Sequence, residues 1–155
     1  MRILITESPE ETERAGAAFA EEVLAQYRQN GGICIFVELF GELGAGKTAF
    51  TRGFASVLSP GSIVRSPTYT IVNEYQKDNP DRIPLFHFDM YRISGEDELY
   101  AIGFYDYLDR DGVCIAEWSE NIDAYLPSNL LRRKVHIEKI SANEANTEQR
   151  KLTIE

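Results

Sequence analysis

Gly41-Glu42-Leu43-Gly44-Ala45-Gly46-Lys47-Thr48 joins two unlike segments. Before it runs ICIFVELF (33–40); after it come Phe50, Phe54, Val57 and Leu58. A nearly continuous apolar run of that length reads as a strand covered on both faces. The spacing 50, 54, 57, 58 reads as one side of a helix. Between them stands a complete GxxxxGK[ST] pattern. Glycines admit backbone conformations closed to other residues, so successive N–H groups can turn inward onto phosphate oxygens. The helix that follows adds its positive N-terminal end. Lys47 supplies a mobile charge for β- and γ-phosphates, and the Thr48 hydroxyl a ligand for Mg²⁺. Residues Gly41, Glu42, Leu43, Gly44, Ala45, Gly46, Lys47 and Thr48 are therefore the expected nucleotide cradle.

The pattern outside the loop is consistent with this. RILIT (2–6) reads as a short strand. Ser8-Pro9-Glu10-Glu11 opens a helix, with Ser8 as its cap, and Gly31-Gly32 closes it. Strands are expected at 70–75, 84–89, 113–117, 134–140 and 150–154. A third helix, capped by Ser94 or Asp97, would carry Leu99, Ile102, Tyr105 and Leu108. Polar turns fall at 77–82 and 141–149. Strands alternating with helices predict a mainly parallel sheet between helical layers. The closing hairpin is expected to add antiparallel strands at an edge. Nothing divides the 155 residues, so residues 1–155 are expected to form one P-loop domain.

A P-loop needs carboxylates near its metal, placed at the ends of neighbouring strands. Asp89 ends the run 85–88, and Glu117 ends the run 113–116. In a parallel sheet both emerge at the C-terminal edge, beside the loop. The competing roles are a helix or loop cap for Asp89 and, for Glu117, a partner for Arg92 or another nearby base. Thr68 suits a switch threonine equally as well as a turn hydroxyl. His87 alternates with Phe86 and Phe88 and reads as a satisfied strand histidine rather than a base. Tyr69, Tyr75, Tyr91 and Phe104 read as core or interface aromatics. Arg52, Arg65 and Arg92 read as solvated, as does the run Arg132-Arg133-Lys134, whose alternative is a kinase lid. No Asn-Lys-x-Asp tetrad is present, which favours adenine over guanine. Glu38 stands inside the strand before the loop and must reach solvent, pair with a base or titrate upward.

Composition narrows the classes. Sixteen basic against 25 acidic side chains leave a net charge of -9, which repels an extended phosphate backbone. Hydrophobic residues at 43% and charged residues at 26% suit a globular chain. No apolar stretch is long enough to span a membrane, and MRILITESPE carries no secretory signature. Cys34 and Cys114 lack metal-ligand spacing and read as buried thiols in a cytoplasmic protein.

GELGAGKT (41–48), SPTYT (66–70), HFDMYR (87–92) and AEW (116–118), in this order and spacing, resemble the YjeE/TsaE family of small bacterial P-loop ATPases. The resemblance covers roughly residues 8–127. It implies an Mg²⁺-dependent ATPase that acts with TsaB and TsaD to make threonylcarbamoyladenosine beside the tRNA anticodon. It further implies a switch role for Ser66-Pro67-Thr68 and a Walker-B-like role for Asp89. Thr48 and Glu117 would serve the metal, and Trp118 matches the family's aromatic beside that glutamate. Lys47, Thr68, Asp89 and Glu117 are thus the expected catalytic group, with Thr48, Asp89 and Glu117 at the metal. The tail beyond about residue 130 is longer and more polar than the family pattern, so Arg150 as an adenine contact is a guess. The rival readings are a small-molecule kinase and a nucleotide-gated binding module without catalysis.

Overall fold

The computed structural model describes residues 1–75, 83–140 and 148–155. Ser8 caps α1 (Pro9–Gln29) by accepting the Glu11 N–H at 3.1 Å, with Pro9 in the first turn and Glu10 and Glu11 at the positive end. Phe19 of α1 packs on Phe50 and Phe54 of α2 (Lys47–Leu58). The two helices approach closely because each lacks a side chain at the crossing. A Cβ on Gly16 would sit 2.1 Å from the Phe50 carbonyl oxygen, and one on Gly53 1.8 Å from that of Glu13.

Seven strands make one sheet: β1 (Arg2–Thr6), β2 (Ile35–Phe40), β3 (Val72–Tyr75), β4 (Leu85–Asp89), β5 (Val113–Glu117), β6 (Leu131–Ile140) and β7 (Gln149–Ile154). Their order is β1-β7-β6-β2-β5-β4-β3. The four inner strands β6, β2, β5 and β4 run parallel, while β7, β1 and β3 are antiparallel to their neighbours. Side chains alternate between two cores. Ile35, Val37, Leu39, Ile115 and Val135 meet α1 and α2 on one face. Phe36, Phe86, Phe88 and Cys114 meet Leu99 and Phe104 on the other. This is the three-layer α/β arrangement expected from the P-loop segment.

Three local expectations differ from the structure. The closing hairpin is not an edge appendage. Its first strand, β6, runs parallel to β2 and buries Val135 and Ile137 in the main core. Its second, β7, is covered in turn by β1, through Arg2↔Ile154. The third helix is two short ones, α3 (Glu96–Ala101) and α4 (Phe104–Leu108), broken where Gly103 turns left-handed at φ 70. Neither Ser94 nor Asp97 caps α3. Gly95 holds that position, and Ser94 instead donates its N–H (2.8 Å) and hydroxyl (3.0 Å) to the Glu98 carboxylate. Strand β3 begins at Val72 rather than Thr70 because Ile71 sits in the left-handed region at φ 67. The expected turn 77–82 and residues 141–147 of the expected loop 141–149 lie outside the described residues.

Candidate functional site

The parallel register brings the predicted residues together. Asp89 pairs with Glu117, and Glu117 with Leu39, so β4 and β5 end level with the strand that feeds the loop. Both acids share the face occupied by Leu39, where α2 begins. They line a cavity of about 610 Å³ with Gly44, Lys47, Thr48, Thr68 and Trp118. At its floor the loop turns into α2 through Gly46, whose φ of 116 is open only to glycine. Of the eight predicted loop residues, Leu43, Gly44, Gly46, Lys47 and Thr48 face this cavity. Gly41, Glu42 and Ala45 line a smaller hollow beside Phe40 and His136 instead.

Lys47 is 5% exposed and folds back on the loop, donating to the carbonyls of Gly41 (2.6 Å) and Glu42 (3.0 Å). Its ammonium lies 4.8 Å from the centre of the Trp118 ring, a cation–π contact. Burial holds its pKa below the ordinary 10.5, opposed by the charges of Glu117, Glu120 and Asp89. A phosphate group offers this buried cation better acceptors than two carbonyls.

Asp89 uses both oxygens within the chain. One oxygen accepts the Tyr91 N–H at 3.0 Å, which caps the turn after β4. The other accepts the Thr68 hydroxyl at 3.0 Å. Thr68 in turn lies 2.9 Å from the Ser66 hydroxyl, so the predicted switch loop rests on the strand-end acid. Glu117 does not pair with Arg92, which lies over the Tyr69 ring at 5.0 Å. It accepts from His87 Nε2 at 3.0 Å.

Other residues meet their sequence readings in part. Tyr75 and Phe104 are buried, but Tyr69 (85% exposed) and Tyr91 (59%) are not core. Tyr91 lines the cavity where the chain turns after β4, and Tyr69 follows Thr68 in the segment before β3. Trp118 lines the same cavity as Glu117 because its backbone leaves the strand at φ 58, ending the alternation that would send it to the other face. Glu38 is fully buried and neither reaches solvent nor stands alone: Arg132 grips it with two bonds, 2.9 and 2.7 Å long. Arg132 also binds Asp123, and Arg133 binds Gln26, so neither is free to act as a lid. Arg52 pairs with Glu13. Arg150 donates to the Ala45 carbonyl at 3.1 Å, against the loop itself. The Cys34 and Cys114 thiols are buried, free and 3.7 Å apart. Sequence reasoning missed the His87–Glu117 contact: 30 residues separate the partners, and only strand register joins them.

Among the described residues no group of three His, Cys, Asp or Glu side chains could cage a metal. Two carboxylates beside a hydroxyl fit Mg²⁺, which keeps much of its shell and is completed by substrate phosphates. No described helix is long and apolar enough to cross a membrane.

Fold and cradle together define a P-loop nucleotide-binding protein. The family described as "Threonylcarbamoyl adenosine biosynthesis protein TsaE" matches residues 6–152, and the chain belongs to that family. The tRNA threonylcarbamoyladenosine biosynthesis protein TsaE of Bacillus subtilis is 37% identical over 148 residues, covering 96% of this chain and 81% of that protein. Its namesake in Haemophilus influenzae is 41% identical over 114 residues, covering 74% and 68%. The crystal structure of Bacillus subtilis YdiB superposes with a TM-score of 0.68 at 32% identity, covering 99% of this chain and 83% of that one.

Proposed function

We propose that this protein binds Mg-ATP and hydrolyses it slowly in the biosynthesis of threonylcarbamoyladenosine on tRNA, with protein partners like TsaB and TsaD. The observation that carries the reading is the level placement of Asp89 and Glu117 opposite Lys47 and Thr48 in one cavity. Phosphates enter over the loop, and Lys47 exchanges its two carbonyls for phosphate oxygens. Thr48, Asp89 and Glu117 would hold Mg²⁺, which neutralises phosphate charge and orients the γ-group when bound. Thr68, already anchored on Asp89, lies where the γ-phosphate would order the 66–68 loop. Water then attacks the γ-phosphorus in line with the leaving ADP oxygen. Lys47 and the loop amides stabilise the charge that develops.

Lys47 is the one cation among the described residues lining this cavity. A slow intrinsic rate follows, with a partner supplying further positive charge. Phosphate release from ATP with no added acceptor tests the reading. Strict dependence on an added small-molecule acceptor would replace it with a kinase. Full support of the tRNA modification in cells by an Asp89→Asn protein that still binds ATP would replace it with a nucleotide-gated binder. Capture of TsaB- and TsaD-like proteins from a bacterial lysate, with ATP or ADP present, tests the partners.

A further inference from the structure

We propose that His87 is a positioning residue. It orients the Glu117 carboxylate toward the cavity and connects that carboxylate to the 65–68 loop. The inference rests on the Mg-ATP reading above and adds a residue to it.

His87 lies in the middle of β4, fully buried. On the same face of the sheet Leu85, Val37 and Ile115 are apolar and part of the core under α1 and α2, while Asn73 and Asp89 are its polar neighbours. An imidazole in such a place loses its hydration and must find partners for both ring nitrogens. It does. Nε2 donates to Glu117 Oε1 at 3.0 Å, and Nδ1 lies 3.4 Å from the Tyr75 hydroxyl. The same hydroxyl accepts the Arg65 N–H at 3.3 Å. Asn73 fixes the Arg65 carbonyl at 3.0 Å.

The Tyr75 hydroxyl joins the two ends. It accepts the Arg65 N–H, and its one proton has the Arg65 carbonyl at 3.3 Å and His87 Nδ1 at 3.4 Å within reach. Nε2–H on the far side of the ring points to the carboxylate. The loop bearing Ser66 and Thr68 therefore meets the two strand-end acids by separate routes. Thr68 reaches Asp89 directly, and Arg65 reaches Glu117 through Tyr75 and His87. Among the described residues, His87 is the one side chain hydrogen-bonded to Glu117. A carboxylate held by a single N–H on one oxygen keeps the other for a cation.

The test measures ATP affinity by calorimetry with Mg²⁺ and with EDTA, in the wild type, His87→Asn, His87→Gln and Tyr75→Phe. A glutamine amide reaches about as far as Nε2, whereas an asparagine amide reaches only to Nδ1. We expect His87→Asn to cut the Mg²⁺ enhancement of ATP affinity by about tenfold or more. Affinity in EDTA should stay within about twofold, and His87→Gln should recover most of the loss. Tyr75→Phe should cost about threefold, by freeing the far side of the ring. Thermal unfolding of each variant checks that it folds; if the His87 variants do not, Tyr75→Phe decides. A wild type without Mg²⁺ enhancement would sink the Mg-ATP reading itself. A normal wild type with no loss in the variants would overturn the role of His87. So would equal loss in His87→Asn and His87→Gln, or equal loss with and without metal.

Discussion

Glu38 and Glu117 stand on neighbouring strands, almost level, on opposite faces of one sheet, and both are buried. Their surroundings differ. Two N–H groups of a permanently charged guanidinium grip both oxygens of Glu38. One imidazole N–H holds one oxygen of Glu117, and the carboxylate opens on a cavity. An acid matched by a bidentate arginine is electrostatically complete and has nothing left for a ligand. An acid held by a single N–H is oriented but not neutralised. Burial alone does not mark a functional carboxylate; what it lacks in the resting structure does.

The contrast breaks most visibly at Glu38. Arg132→Ala strands a buried charge and should cost about 3 kcal/mol of stability, read from the urea midpoint. Replacing both partners, Glu38→Leu with Arg132→Met, should recover most of it. A loss below about 1 kcal/mol would mean that water reaches Glu38.

On the cavity side Lys47→Ala should weaken ATP binding by about 1.5–3 kcal/mol, because a charge-assisted contact in a sheltered site is lost. An unchanged dissociation constant by calorimetry would remove the loop from the site. Glu117→Gln should lower Mg-ATP affinity by about 1–2 kcal/mol and leave metal-free binding nearly intact. Equal loss in both conditions would make Glu117 as structural as Glu38.

The smallest effect belongs to Asp123, the exposed partner of Arg132. The Arg132 hydrogen bond and charge hold its carboxyl below the ordinary 3.8. The contribution is therefore full above the ordinary value and lost as pH falls through the lowered one. Solvent screening limits it to a few tenths of a kcal/mol. Unfolding curves of wild type and Asp123→Asn should differ slightly at pH 5 and converge as pH falls well below the ordinary 3.8.

The strand, cradle and helix from 33 to 58 were legible because their signals are local. An apolar run, a glycine pattern and a helical period each depend on a few adjacent residues. The placement of Asp89 and Glu117 at one edge was legible for a related reason: parallel strands of equal length end at one edge. The third helix was misread where Gly103 interrupts an otherwise unbroken period, since a single glycine is compatible with either outcome.

Local chemistry thus determined the strand, glycine turn and helix of the loop and which acids end the neighbouring strands. Tertiary structure decided what each buried polar group meets. Glu38 and Arg132 are 94 residues apart, and His87 and Glu117 are 30 apart. Both meetings depend on strand register, and on which strand lies beside which. The same pairing set β6 inside the sheet and turned His87 toward Glu117. A buried charge is tolerable only beside its partner, and no local pattern names that partner.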